Sequence, residues 1–276
     1  MINIDHLKFG YSTGPNVLQD ISLHLEQGNI YGLFGKNGEG KTSLMKIMSG
    51  LLPIKHGHYT LNGESTLDRK ANWLQQVFLV PEDFELPNIA ISRYQQINAP
   101  FYPNFSKSTF NDLVKAFGLP VSAQIGRLSF GQRKKVLIAF ALAANTSILL
   151  MDEPTNGLDI PSKSQFRKVL SSLATDDKCI IISTHQVRDL YSLINHVIVL
   201  DHAKVVFDQP LSRVTHKLWF GKPNSALKDT ALYSETGFGG KAILPKNDLE
   251  ETEVDLELLF HGVLSASPKI NATLER

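Results

Sequence analysis

The chain has 276 residues, room for roughly two domains or for one large α/β unit with an appendage. Its 42% apolar and 20% charged residues place it among soluble globular chains and exclude disorder or a fibrous repeat as the starting class. Lys and Arg number 28 against 27 Asp and Glu, a near-balance that removes the broad basic surface a nucleic-acid or anionic-membrane reader needs.

The first 30 residues alternate as half-buried strands do, with Ile2 and Ile4, then Ile21, Leu23 and Leu25 on one face and turn residues at Ser12 to Pro15 and Gln27-Gly28-Asn29. An antiparallel opening is expected. The run Ile30 to Phe34 reads as a buried strand, followed by a glycine-rich turn and a helix with Leu44, Ile47, Met48 and Leu51 on one face; Gly50 and Pro53 stop it. From Pro87 to about Gly118 the texture shifts to Pro, Asn, Gln and aromatic residues, which predicts a helical insert over about residues 85–135. Val136 to Met151 is the longest stretch without charge or proline; its 16 residues, interrupted by Asn145-Thr146-Ser147, fall short of the ~18 of a membrane span.

Strand-like runs return at Ser147 to Met151, Cys179 to Ser183 and Val197 to Leu200, each separated by a helix-length segment. That alternation predicts a mainly parallel sheet covered on both faces. After Thr215 the pattern weakens. Residues 216–276 are expected to form a small C-terminal appendage, in which the acidic stretch Asp248 to Glu257 precedes an apolar Leu258-Leu259-Phe260 and a closing amphipathic helix. The lone Cys179 has no disulfide partner and Met1-Ile2-Asn3-Ile4-Asp5 lacks the basic and apolar regions of a leader, so a reducing cytoplasm is the expected compartment. Three weaker features have plain readings. His56-Gly57-His58 reads as loop polarity ahead of a strand, Arg133-Lys134-Lys135 as a solvated helix face, and Cys179 as a small buried hydrophobe.

Gly35-Lys36-Asn37-Gly38-Glu39-Gly40-Lys41-Thr42, followed by Ser43, fits GxxxxGK[ST] between an apolar strand and a helix. There, successive backbone N–H groups and the positive end of the helix dipole surround a polyphosphate. Lys41 supplies a cation for the β and γ phosphates and Thr42 a hydroxyl for Mg²⁺. A glycine-rich turn alone accounts for the glycines but not for the Lys-Thr pair. Farther on, Ile148 to Met151 ends in Asp152-Glu153. At the carboxyl end of a parallel strand these acids would emerge beside the phosphate loop, Asp152 for the metal shell and Glu153 to activate the attacking water.

Three further motifs follow in order: Leu128-Ser129-Phe130-Gly131-Gln132, Asp152-Glu153-Pro154 with Asn156-Gly157-Leu158-Asp159, and Ser183-Thr184-His185 at a strand end. Together they resemble the ATPase subunit of ATP-binding cassette (ABC) transporters over about residues 1–215. The resemblance implies an α/β fold with a P-loop NTPase core, an N-terminal antiparallel β subdomain and a helical insert. It implies a dimer in which each ATP, with Mg²⁺, lies between one subunit's phosphate loop and the other's signature, so that Ser129, Phe130, Gly131 and Gln132 face the partner's ATP. Asp159 then falls at the dimer seam, His185 contacts the γ-phosphate and joins Glu153 and Lys41 in hydrolysis, and Tyr11 stacks on adenine. Glu82 stands where the family has a glutamine that touches the metal and couples to the membrane subunit, and Phe130 where it usually has glycine.

The implied function is ATP hydrolysis driving a separate transmembrane permease, with the chain peripheral on the cytoplasmic face and no direct contact to nucleic acid. The Pro81-Glu82 form and the C-terminal extension resemble cassettes of exporters. The competing classes are a soluble cassette ATPase acting on ribosomes or DNA and an ATP sensor without turnover. The absence of a heptad array or a second cassette speaks against the first. The presence of Lys41, Asp152, Glu153 and His185 speaks against the second.

Overall fold

Ile2, Ile4, Leu7 and Phe9 are buried along one face of β1 (Ile2–Phe9), and Leu18, Ile21, Leu23 and Leu25 along β2 (Leu18–Leu25), the two-residue period of sheets packed on one side. The computed structural model describes all residues except 13, 186–190, 225–226, 236–239, 248 and 276. Asp248, the first residue of the acidic stretch, lies outside the described residues. β3 (Asn29–Phe34) is followed by α1 (Lys41–Met48), β4 (His56–Leu61), β5 (Glu64–Ser65), α2 (Ala71–Leu74) and β6 (Val77–Val80). His56 and His58 lie within β4, not ahead of it.

Next in the chain come α3 (Ile91–Asn98), α4 (Lys107–Ala116) and α5 (Phe130–Ala144). Then come β7 (Ile148–Asp152), α6 (Ile160–Leu173), β8 (Cys179–Ser183), β9 (His196–Asp201), β10 (Lys204–Pro210) and α7 (Leu211–Lys217). The chain closes with β11 (Leu218–Gly221), β12 (Tyr233–Ser234), β13 (Ala242–Pro245) and α8 (Leu256–Glu275).

The protein is α/β. Its six-stranded sheet has the order β10-β9-β3-β8-β7-β6, parallel except where β10 pairs with β9. An antiparallel four-stranded sheet, β2-β1-β4-β5, forms the N-terminal layer. One apolar core lies where that layer and α1 meet the parallel sheet, among Leu18, Leu44, Met48, Tyr59 and Ile181. The other lies where the remaining helices cover the opposite face, with α5 at its centre.

Helix α5 is buried at every residue from Val136 to Ala144, as an apolar helix must be when it is enclosed on all sides. Phe140 stacks with Phe78, Tyr94, Tyr102, Phe105 and Phe110. Register fixes the functional edge. Leu33 and Asp152 are both opposite Ser183, so the carboxyl ends of β3, β7 and β8 finish together and release Gly35, Glu153 and Thr184 on one rim.

Residues 216–276 contribute a third sheet, β11-β13-β12, and the helix α8. The helix bends at Ala266 (φ −146), two residues before Pro268, whose ring clashes with a regular preceding turn. Ile243, Leu259, Val263 and Ile270 belong to the same core as β7 and β8, and the Phe260 ring lies 6.3 Å from Phe34. The extension is therefore packed beneath the strand that leads into the phosphate loop. Among the described residues no helix is long and apolar enough to cross a membrane.

Candidate functional site

Glycine opens the loop that follows β3. Gly40 has φ +94, and a Cβ there would sit 2.7 Å from Leu18 Cδ2 and 2.8 Å from the Val17 carbonyl, so both backbone conformation and space demand glycine. It occupies the N-cap of α1 with no side-chain cap, which leaves the first-turn N–H groups to an anion. Lys41 Nζ donates to the carbonyls of Gly35 (2.7 Å) and Lys36 (3.0 Å), closing the loop on itself. Burial pushes the Lys41 ammonium below its ordinary value, opposed by the charges of Glu153, Asp152, Glu39 and Glu82. Glu39 accepts from the Ala203 N–H at 3.1 Å, which ties the loop to the β9–β10 hairpin.

The two acids sit opposite this loop. Thr42 Oγ1 donates to Asp152 Oδ2 at 2.6 Å, and Ser183 Oγ donates to Asp152 Oδ1. Asp152 is 2% exposed and Glu153 4%, so each carboxyl group needs hydrogen-bond partners to offset its removal from water. Glu153 Oε1 accepts from the His185 N–H at 2.8 Å and lies 2.7 Å from His185 Nδ1, while Thr184 Oγ1 donates to Oε2 at 3.2 Å. Glu153 has φ +46, and its N–H donates to the Ser183 carbonyl at 3.1 Å. A cleft of about 410 Å³ is lined by Tyr11, Asn37, Gly38, Lys41, Thr42, Ser43, Glu82, Asp152 and Glu153, among others. The donor set fits Mg²⁺, since a hydroxyl and a carboxylate already in contact are hard oxygen ligands that leave room for waters and phosphate oxygens.

Tyr11 is 51% exposed at the mouth of this cleft. Its hydroxyl is 3.2 Å from Ser43 Oγ and its ring stands edge-on to Phe9 at 5.1 Å, leaving a face open for stacking. Glu82 also lines the cleft, with Oε1 accepting from Asn156 Nδ2 at 3.0 Å.

The signature-like residues lie apart from the cleft lining. Ser129 caps α5 in a reciprocal box: its Oγ accepts from the Gln132 N–H at 3.3 Å, and Gln132 Oε1 accepts from the Ser129 N–H at 3.0 Å. Phe130, 40% exposed, packs against Phe84 with centroids 5.3 Å apart. Asp159 caps α6 through the Ser162 N–H at 3.3 Å and lies 3.8 Å from Lys135 Nζ; the hydrogen bonds from Ser162 and the nearby Lys135 hold its carboxyl below the usual range.

Gly131 ties the two segments together. A Cβ at this position would lie 2.4 Å from the Gly157 carbonyl oxygen, which is backbone and cannot step aside. Gly131→Ala is expected to push the start of α5 away from residues 156–159 and to destabilise the fold by about 1–3 kcal/mol. Chemical denaturation followed by circular dichroism checks it.

Lys134 is not part of a solvated face: it is 0% exposed, and its Nζ donates to the Glu153 carbonyl at 2.8 Å. The signal was available in the helical period, because Lys134 shares a face with Leu137, Ile138 and Ala141, all buried.

A family model described as "ABC transporter" matches residues 18–156. The ABC transporter ATP-binding protein NatA of Bacillus subtilis is 31% identical over 197 residues, covering 69% of this chain and 80% of that protein. YfeB of Yersinia pestis, described as a chelated iron transport system membrane protein, is 31% identical and covers 72% of this chain and 70% of its own length. Among solved structures, an ATP-binding subunit of an ABC transporter superposes with a TM-score of 0.71 at 23% identity, covering 78% of this chain and 91% of that one. A dimeric ATP-binding cassette in a post-hydrolysis state with ADP and phosphate gives 0.67 at 22% identity, covering 76% of this chain and 99% of that one. The matched segment runs from β2 through the phosphate loop to the acids after β7, and together with the relative shared over most of both chains it establishes that this protein belongs to the ABC transporter family, as an ATP-binding cassette.

Proposed function

We propose that the chain is the ATP-hydrolysing subunit of an ABC transporter and drives a separate membrane permease through ATP-dependent pairing with a second cassette. The observation that carries the reading is the arrangement of Thr42, Asp152 and Glu153: a hydroxyl and a carboxylate already bonded for a metal, with a second carboxylate on the same rim. The phosphate-loop amides and Lys41 bind the triphosphate, and Tyr11 takes the base. Thr42 and Asp152, with Glu82 beside them, would hold Mg²⁺, which supplies charge neutralisation on the phosphate oxygens. Glu153 orients and deprotonates the attacking water, and His185, bonded to Glu153, aligns toward the γ-phosphate.

In this reading Ser129, Phe130, Gly131 and Gln132 close over the partner's ATP, and Asp159 lies at the seam. The open face of the signature segment and its separation from the chain's own cleft favour that arrangement. The cassette comprises residues 1–215, with the insert at about 85–135 meeting the permease on the cytoplasmic face; residues 216–276 brace it from below. Pro81-Glu82 and the extension favour export, whereas the relatives' descriptions speak of transport without a common direction. The test is phosphate release and light scattering on the purified chain with ATP and Mg²⁺. Turnover with ATP-dependent dimerisation is expected, and a monomer that never hydrolyses ATP would overturn the proposal. Permease coupling is then tested by reconstitution with a candidate transmembrane subunit in vesicles, which should stimulate turnover.

A further inference from the structure

Behind the Glu153 turn, the helix that carries the signature segment buries a cation. Lys134 is fully enclosed, and an ammonium taken out of water costs several kcal/mol unless its surroundings compensate it. Those surroundings come from separate parts of the chain. Nζ donates to the main-chain carbonyl of Glu153 at 2.8 Å and lies 3.4 Å from that of Glu82. The rings of Phe130 and Phe84 stand 5.8 and 6.0 Å from it, within reach of a cation–π attraction. Burial pushes the ammonium below its ordinary value, and the charges of Glu82, Asp152, Glu153 and Asp83 act against that shift.

The carbonyl that Lys134 holds belongs to a strained residue. A bulky side chain at φ +46 costs about 1–3 kcal/mol and persists only where the surroundings over-determine it. At Glu153 the N–H is tied to Ser183 on β8 and the carbonyl to Lys134 on α5, so the peptides on both sides of the side chain are pinned. The same carbonyl accepts from the Asn156 N–H at 3.2 Å within its own turn, so Lys134 ties that turn to α5; losing it leaves the carbonyl to the longer local bond and gives the carboxylate latitude to turn.

We propose that Lys134 is a positioning residue for hydrolysis: its ammonium fixes the left-handed backbone of Glu153, aims the carboxylate into the cleft, and links the start of α5 to the hydrolytic group. This rests on the reading of Glu153 as the group that activates water. The link is short, because Lys134 lies two residues beyond Gln132 on the same helix. A shift of the signature segment on closure therefore reaches Glu153 directly.

Lys134→Met discriminates this role from a structural one. An apolar side chain of similar volume in place of a buried charge is often neutral or stabilising, so a lysine that only filled space would leave turnover intact. The expected result is a folded chain whose kcat falls about 10- to 100-fold, with equilibrium ATP affinity within about twofold of the parent and most of the loss recovered in Lys134→Arg. An unchanged kcat in folded Lys134→Met would overturn the inference. So would affinity falling in step with kcat, or a folded Lys134→Arg as slow as Lys134→Met. If Lys134→Met does not fold, Lys134→Leu, which likewise removes the donor and the charge, carries the same measurements. A parent chain without turnover defeats the reading of the site itself, which separates that failure from this one.

Discussion

Glu153→Gln is expected to lower kcat about 10²- to 10⁴-fold, the range for loss of a positioned general base, while ATP affinity stays within about twofold. The substitution is nearly isosteric, and the local bonds allow it. The contacts to the His185 N–H and Nδ1 both fall on Oε1, which an amide oxygen can occupy, and Thr184 Oγ1 can turn to accept from the new amide nitrogen. The left-handed backbone is held by Ser183 and Lys134 through main-chain atoms, which the change does not touch. What disappears is the negative charge and the basic lone pair. Removing a charge from a rim that also carries Asp152 and Glu82 eases repulsion with the triphosphate, so ATP-bound dimers should accumulate. Steady-state phosphate release, nucleotide titration and light scattering measure the three quantities, and a variant that turns over at the parent rate removes Glu153 from the mechanism.

The sequence made the phosphate side of this site legible because the chemistry there is local. Gly35 to Ser43 is one turn and the opening of one helix, so residue type and spacing carry the geometry without knowledge of the rest of the fold. Asp152 and Glu153 were legible for a related reason: an apolar run long enough to be a buried strand places whatever follows it on the rim. The residues that escaped depend on packing between distant segments. Glu39 sits at a variable motif position, yet its carboxylate is spent on Ala203 of the β9–β10 hairpin, a contact no local pattern announces.

Lys134 stands between Arg133 and Lys135, and charge argues for solvent unless the helix is known to be covered on every side. That enclosure is supplied by elements before and after α5 in the chain. The extension was faint for a third reason. β11 and β13 have four residues each and α8 is broken near Pro268, so none sustains a long period, although Phe260 reaches Phe34 at the root of the phosphate loop.

Lys41→Ala is expected to weaken ATP binding about 10- to 100-fold, the loss of one hydrogen bond to a charged group at about 1.5–3 kcal/mol. Two effects act in the same direction. The amine now bridges the carbonyls of Gly35 and Lys36, so its removal loosens the loop whose amides would meet the phosphates. It also subtracts the positive charge that faces Asp152, Glu153, Glu39 and Glu82, leaving a rim of carboxylates to receive a polyanion. The second effect grows with ligand charge, so affinity should fall more for ATP than for ADP, and least for adenosine. Lys36→Ala is the control, because Lys36 carries the same charge two residues before Gly38 but is solvent-exposed and should change affinity by less than about threefold. Isothermal titration with the three ligands separates the cases. Equal losses for all three would mean that Lys41 only shapes the loop, and an unchanged ATP affinity would mean that the phosphate does not bind here.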